Sequence, residues 1–224
     1  KISTRTACVV IEMIQAEAGI IPVEEYFIHQ LKKRCARDGA LIVVDDVQMG
    51  MGRTGKMFSF EHYDFVPDIL VLAKALGAGM PLGAFIAGKA LMETLAFNPE
   101  LGHITTFGGH PVSCAAALAG LDVLLSDQLI PSAEEKGQLF QDRFSGHPAI
   151  AEIRRSGLAL GLDLANAELR APFMQAALEQ GVIIDWFLFK PATFRIAPPL
   201  TITRDEIDLA CEKLLTSLDA VNVF

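Results

Sequence analysis

The sequence lacks the features that mark a metal site, a disulfide scaffold or a membrane span. Its four cysteines, Cys8, Cys35, Cys114 and Cys211, are scattered with no C-x-x-C pair. That usage fits buried thiols in a reducing, cytoplasmic setting better than zinc or disulfides. The five histidines never fall in H-x-x-x-H or H-E-x-x-H spacing, so metal catalysis gains no support. Positive charge is scarce: 19 Lys and Arg face 27 Asp and Glu, a net −8. An acidic body attracts neither phosphate backbones nor anionic lipid, so no nucleic-acid or membrane partner is expected. Apolar residues make up 51% of the chain and mean hydropathy is +0.37. Even so, no stretch approaches the roughly 18 consecutive apolar residues of a membrane span. The greasiest region, 75–92, is broken by Gly77, Gly79, Pro81, Gly83, Gly88 and Lys89. No basic-then-apolar leader opens the chain. It starts at Lys1, without Met, and runs at once into the strand-like ACVVIEM, which reads as a piece of a longer polypeptide.

What is present is alternation. ACVVIEM (7–13), ALIVVDD (40–46), DILVLAK (68–74) and GAFIAG (83–88) are short, continuous and apolar, as in strands covered on both faces. Between the first two, residues 22–39 read as a helix with Pro22 near its start, Glu24 and Glu25 in the first turn and Gly39 as its stop. Tyr26, Phe27, Leu31, Arg34 and Cys35 share one face of it. A small-residue helix follows over 111–127. This pattern implies an α/β layered domain with a mainly parallel sheet. Beyond a boundary at 126–132 the texture changes. A polar helix around 132–144 leads to 150–165, a helix near 170–180, and short strands in GVIID (181–185) and FRIAPPL (194–200). Thr203 and Glu206 have capping-box spacing for a last helix to about Ala220. Residues 1–130 are therefore expected to be part of a large domain and 131–224 a small α+β domain.

The chemistry concentrates in 43–84. Asp45 and Asp46 end one strand, Gln48 and a glycine-rich loop follow, and Lys74 ends the next strand. Open α/β sheets place ligand sites at the carboxyl ends of their strands. A lysine partly desolvated there keeps a nucleophilic amine near neutral pH. Taken alone, Lys74 reads more readily as a snorkelling strand-end lysine than as a nucleophile, and one of Asp45 and Asp46 as a structural acid. The segment GMGRTGK (50–56) mimics a phosphate loop, but Met57 stands where magnesium needs Ser or Thr.

VVDDVQMGMGRTGKMFSFEHYDFVPDILVLAKALGAGMPLGA (43–84) resembles the signature of the class III aminotransferases, the ornithine, acetylornithine and 4-aminobutyrate type that uses pyridoxal 5′-phosphate. IEMIQAEAGI (11–20) is similar to the family's E-P-x-Q-G-E-G-G and HITTFGGHP (103–111) to its H-x-S-T-[FY]-G-G-N-P. FRIAPPL (194–200) is similar to its R-[FIL]-x-P-P-L. The motifs keep the family's order across nearly the whole chain, and match its C-terminal half to two-thirds.

The resemblance implies a type I pyridoxal-phosphate transferase fold, a partial large domain followed by a small C-terminal one. By matching position, Lys74 would condense with the cofactor aldehyde and then shuttle a proton. Asp45 would pair with the pyridine nitrogen and keep it protonated, so that the ring accepts electrons. Val47 would pack on the ring and Gln48 would donate to its phenolic oxygen. Thr106 would bind the cofactor phosphate of a neighbouring subunit, implying a homodimer with a shared site. Arg195 would clamp a substrate carboxylate in bidentate fashion. Glu17 would pair with Arg195 and release it for 2-oxoglutarate. The implied reaction moves an amino group from an ornithine-like or ω-amino donor to an oxo acid. An aminomutase or epimerase of the same fold would use the same lysine and aspartate. The residues also admit a phosphate-loop nucleotide-binding module, or an inactive fragment with only a structural role. Met13 replaces the family's Pro, Ala16 its Gly, Asp46 a common Glu and His110 a common Asn; the first two bear on the loop that carries Glu17. The family's small-residue phosphate loop and ring-stacking aromatic have no counterpart in 1–224, so the chain alone is expected to bind the cofactor weakly or not at all.

Overall fold

The computed structural model describes residues 1–100 and 102–221. In chain order these form β1 (Cys8–Ile11), β2 (Ile14–Gln15), β3 (Ile21–Pro22), α1 (Glu25–Asp38), β4 (Leu41–Asp45), β5 (Ile69–Leu72), β6 (Ala84–Ala87), α2 (Lys89–Glu93), α3 (Pro111–Ser126) and α4 (Leu129–Phe144). Then come β7 (Ile150–Ser156), β8 (Ala159–Leu164), α5 (Arg170–Glu179), β9 (Asp185–Phe187), β10 (Lys190–Ile196) and α6 (Arg204–Val221). Single 3₁₀ turns lie at Ser59–His62, Lys74–Gly77 and Ala167–Leu169. The contacts divide the chain into two units. One holds 1–13, 23–51 and 58–127; the other holds 14–22, 52–57 and 128–224. Two short stretches inside the expected large domain thus cluster with the C-terminal unit.

The first unit is built on a four-stranded sheet in the order β1-β4-β5-β6. β1, β4 and β5 run parallel, and β6 closes the edge antiparallel to β5. Ile42, Val43 and Val44 are all buried, as expected of a strand with both faces covered. Met13, Ile28, Val44, Leu70 and Leu72 form one core cluster. The buried stripe of α1 is Ile28, Leu31 and Cys35, at the 3- and 4-residue steps of a helix face. Tyr26 and Phe27, expected on that stripe, are exposed, because the face is turned toward Ile28. Gly39 ends α1 at φ +75, the left-handed geometry that favours glycine.

The second unit carries an antiparallel sheet in the order β7-β8-β10-β9. Leu160, Leu162, Leu164, Phe194 and Ile196 point into a core completed by Phe140, Phe144, Phe173, Ile207, Cys211 and Leu214 from the helices. GVIID, expected as a strand, is not one over 181–184. Val182 N–H closes back on Ala177 O at 2.8 Å, and Val182 and Ile184 pack on the core without joining a ladder. Pairing starts only at Asp185. The capping box of α6 forms as its spacing predicts: Thr203 N–H donates to Glu206 Oε2 at 2.8 Å, and Glu206 N–H to Thr203 Oγ1 at 3.3 Å. Burial pushes the Cys211 thiol up to about 11, so it behaves as a small apolar side chain.

The other face of this sheet is polar. Asp163 on β8 accepts hydrogen bonds from Arg154 Nη1 at 2.9 Å, Lys190 Nζ at 2.6 Å and Thr193 Oγ1. Burial alone would raise its carboxyl; these donors outweigh that and hold it well below the usual carboxylate range. A depressed folded-state pKa adds stability above the unfolded pKa of about 4 and loses it as pH falls through the folded value. Asp163→Asn is therefore expected to melt well below the parent at pH 7. The gap between them should shrink steadily from about pH 5 to pH 2, which thermal melts across that range will measure.

Candidate functional site

In the first unit, β4 and β5 deliver two functional groups to one end of the sheet. Asp45, the last residue of β4, stands in register with Val71 of β5, and Lys74 follows three residues later. Parallel neighbours lie about 4.8 Å apart, so the two residues leave adjacent strands at their carboxyl ends. Asp45 is half-buried, and its Oδ1 accepts from Val47 N–H at 3.1 Å. Asp46 differs: it is 1% exposed and its Oδ2 accepts from Ser59 N–H at 2.8 Å. Burial, before any other influence, raises its carboxyl. Of the adjacent acids, Asp46 is thus the structural one. Gly50 is required beside it, since a Cβ there would lie 2.7 Å from Asp46 O.

Lys74 Nζ donates to Gln48 Oε1, so the lysine and the amide meet. Lys74 adopts φ +47, the left-handed region that non-glycine residues enter at a cost, and one that clusters at functional sites. The turn is supported from below by α3, where Gly120 lets Ala78 approach; a Cβ on Gly120 would come within 2.5 Å of Ala78 Cβ. Lys74 is exposed, not desolvated as its strand-end position suggested. The left-handed turn carries it past Leu72, and its neighbours Ala75, Ala78 and Gly79 are exposed with it.

Val47 helps line an open apolar cavity of about 1290 Å³ together with Val71, Ala73, Phe85, His103 and Thr105. Thr106 lies next to that lining, exposed in the loop before α3. His110, which replaces the family's Asn, is the N-cap of α3 but makes no side-chain cap.

Arg195 and Glu17 meet in the second unit. Arg195 Nη1 donates to Glu17 Oε1 at 2.9 Å. Ala16 does not disturb the turn: Gly19 N–H reaches Ala16 O at 3.0 Å and Ile20 N–H reaches it at 3.3 Å. Arg154 Nε donates to Gly19 O at 2.7 Å, and Leu188 N–H to Glu17 Oε2 at 3.0 Å. The turn sits so close to β8 that a Cβ on Gly161 would meet Gly19 O at 2.8 Å. No motif points to a second acid, yet Asp185 Oδ2 accepts from Arg195 Nη2. The β9–β10 pairing carries that signal, but placing the strand at 181–185 hides it.

The glycine-rich loop is no phosphate cradle. A four-residue 3₁₀ turn, Ser59–His62, follows it where a helix is required. Arg53 points inward and donates to Leu158 O at 2.9 Å and Pro198 O at 2.6 Å. Burial lowers its guanidinium to about 10.

The family model for class-III aminotransferases matches residues 1–218. The chain belongs to that family. An aminotransferase from Bacillus anthracis is 30% identical with a TM-score of 0.86, over 96% of this chain and 52% of that one. The ornithine aminotransferase of Toxoplasma gondii, crystallized with oxidized glutathione, is 30% identical with a TM-score of 0.87, over 98% and 52%. That structure shows partial occupancy of pyridoxal phosphate at its active site. An (S)-enantioselective ω-transaminase from Thermomicrobium roseum is 29% identical with a TM-score of 0.86, over 96% and 51%. The α/β architecture is therefore that of the class-III family, and the chain spans about half the length of these relatives.

The residues present fit the family's cofactor. An amine and an amide are hydrogen-bonded at the sheet end where the neighbouring strand delivers a carboxylate, and Val47 belongs to an apolar wall beside them. No helix among the described residues is long and apolar enough to cross a membrane.

Proposed function

We propose that the protein carrying this chain is a pyridoxal-phosphate-dependent aminotransferase that moves an amino group from an ornithine-like or ω-amino donor to an oxo acid such as 2-oxoglutarate. The observation that carries this reading is the Lys74–Gln48 hydrogen bond at the carboxyl end of β5, one strand from Asp45, in a class-III chain. Pyridoxal phosphate, when bound, supplies an aldehyde and a ring that accepts an electron pair. Lys74 Nζ would hold it covalently and, when free, would move a proton to and from the reacting carbon of the substrate. Asp45 would hold a proton on the ring nitrogen. Gln48 would donate to the phenolic oxygen, and Val47 would pack on the ring and exclude water.

Arg195 binds a substrate carboxylate, and its bond to Glu17 supports a transaminase over an aminomutase, because a guanidinium already matched to one carboxylate can exchange it for another. Thr106 would bind the cofactor phosphate of a second subunit; its exposure supports that role. Exposed Phe97, Ile104, Phe107 and Leu118 in the same unit supply apolar surface for a homodimer. Four free cysteines accord with the cytoplasm, and the acidic charge with small-molecule substrates in place of nucleic acid or membrane. The test supplies full-length protein and cofactor with ornithine, acetylornithine or 4-aminobutyrate plus 2-oxoglutarate, and measures glutamate. Formation from at least one donor is expected; none from any of them overturns the reading.

A further inference from the structure

Two acids of different origin hold Arg195. Glu17 arrives on the turn at 16–20, whereas Asp185 belongs to β9 and stands in register with Arg195 on β10. Opposed residues of an antiparallel pair have Cβ atoms about 5 Å apart on the same face, so strand pairing alone brings Asp185 to the guanidinium. Asp185 divides its oxygens. Oδ1 accepts from Trp186 N–H at 2.8 Å, which orients the carboxylate, and Oδ2 accepts from Arg195 Nη2. The Phe187 ring lies 5.4 Å from Arg195 Cζ. One cation and two anions leave this trio with a charge of −1.

That surplus decides what approaches easily. With Glu17 as its only partner, a departing turn would expose a full positive charge. With Asp185 in the adjacent strand, Arg195 stays paired with one carboxylate after Glu17 leaves, and an incoming carboxylate meets a neighbouring like charge. Like charges across a binding surface are a standard means of rejecting the wrong ligand.

We propose that Asp185 is a specificity-determining positioning residue. It holds Arg195 partly neutralised, weakens capture of the distal carboxylate of dicarboxylic substrates, and favours substrates whose distal end is neutral or cationic. The proposal rests on the reading of Arg195 as the carboxylate-binding residue.

The test titrates glutarate, an unreactive dicarboxylate, and butyrate, its monocarboxylate counterpart, into the full-length holoenzyme by calorimetry. Asp185→Asn keeps the shape, and at an exposed position it should fold as the parent does. It is expected to bind glutarate about fivefold tighter, as removing one partly exposed charge interaction predicts. Butyrate should respond much less, and Asp185→Glu should return glutarate to parental affinity. Arg195→Met is expected to weaken glutarate. If Arg195→Met does so while Asp185→Asn leaves glutarate unchanged or weaker, the role of Asp185 is overturned and the reading of Arg195 stands. An equal gain for butyrate in Asp185→Asn likewise overturns it. If Arg195→Met leaves glutarate binding intact, both readings fall.

Discussion

Replacing Lys74 with glycine is expected to make the protein more stable and catalytically dead. The left-handed backbone at φ +47 costs a side-chain-bearing residue about 1 kcal/mol or more, which glycine does not incur. Lys74 is exposed, so little packing is lost with the side chain. Its hydrogen bond to Gln48 lies on the surface and contributes little to folding. Activity moves the other way. Without an amine at this position nothing holds the cofactor covalently and no group carries the proton; proton transfer by a placed side chain alone is worth about 10²- to 10⁴-fold. Full-length Lys74→Gly should therefore show turnover reduced by at least about 10³-fold and a melting temperature equal to or above the parent. Lys74→Ala keeps the strained backbone and should lose the activity without gaining the stability. In the parent, borohydride reduction in the presence of cofactor should label the peptide containing Lys74, and neither variant should be labelled there. A Lys74→Ala enzyme that still turns over removes Lys74 from the proposed chemistry. Strain retained at the one residue that the family resemblance makes the nucleophile is the pattern expected where function outweighs local stability.

How far the sequence carries depends on the range of the interaction involved. Strands β1, β4, β5 and β6 lie within the four apolar runs, a local signal, but only β4 and β5 are covered on both faces: β1 and β6 leave alternate residues exposed, Val10 and Ile86 among them. The capping box at Thr203 and the stop at Gly39 are local too, and both form as read. The stripe on α1 depends instead on what the helix packs against, and there Ile28 replaces Tyr26 and Phe27. GVIID shows the same limit: its apolar residues are buried, but burial without a ladder partner makes no strand. At the site, motif resemblance picks out Lys74, Gln48, Glu17 and Arg195, and the structure joins them in two hydrogen-bonded pairs. The sequence alone gives no sign that Asp46 is the buried acid of the two, since that depends on Ser59, thirteen residues away in sequence. Nor does it reveal Asp185, whose contact with Arg195 is set by strand register and by no motif.

The alternation of β10 separates stability from binding within two adjacent residues, and substitution should expose this. Phe194 is 1% exposed and packs edge-to-face on Phe173, with centroids 4.9 Å apart, and on Phe144 at 6.1 Å. Phe194→Ala removes a fully buried ring from the centre of the C-terminal core. Such truncations cost about 3–5 kcal/mol, because the transfer energy is lost and the surrounding core collapses only partly into the cavity. Each ring pair adds about 0.5–1.5 kcal/mol beyond its area. For a unit of this size, a loss on that scale lowers the melting temperature by roughly 10 °C or more. Arg195, the next residue, points to the opposite face, where Glu17 and Asp185 hold it. Arg195→Met keeps most of the aliphatic bulk and gives up partly exposed ion pairs, interactions worth about 1 kcal/mol or less each. Its melting temperature should fall by only a few degrees, while carboxylate binding is lost. Chemical denaturation of the two variants side by side will decide the matter. If Phe194→Ala unfolds at the same denaturant concentration as the parent, the phenylalanine cluster is not what holds this sheet to its helices. If Arg195→Met unfolds first, the acid pair around the guanidinium supports the fold and not the capture of a ligand.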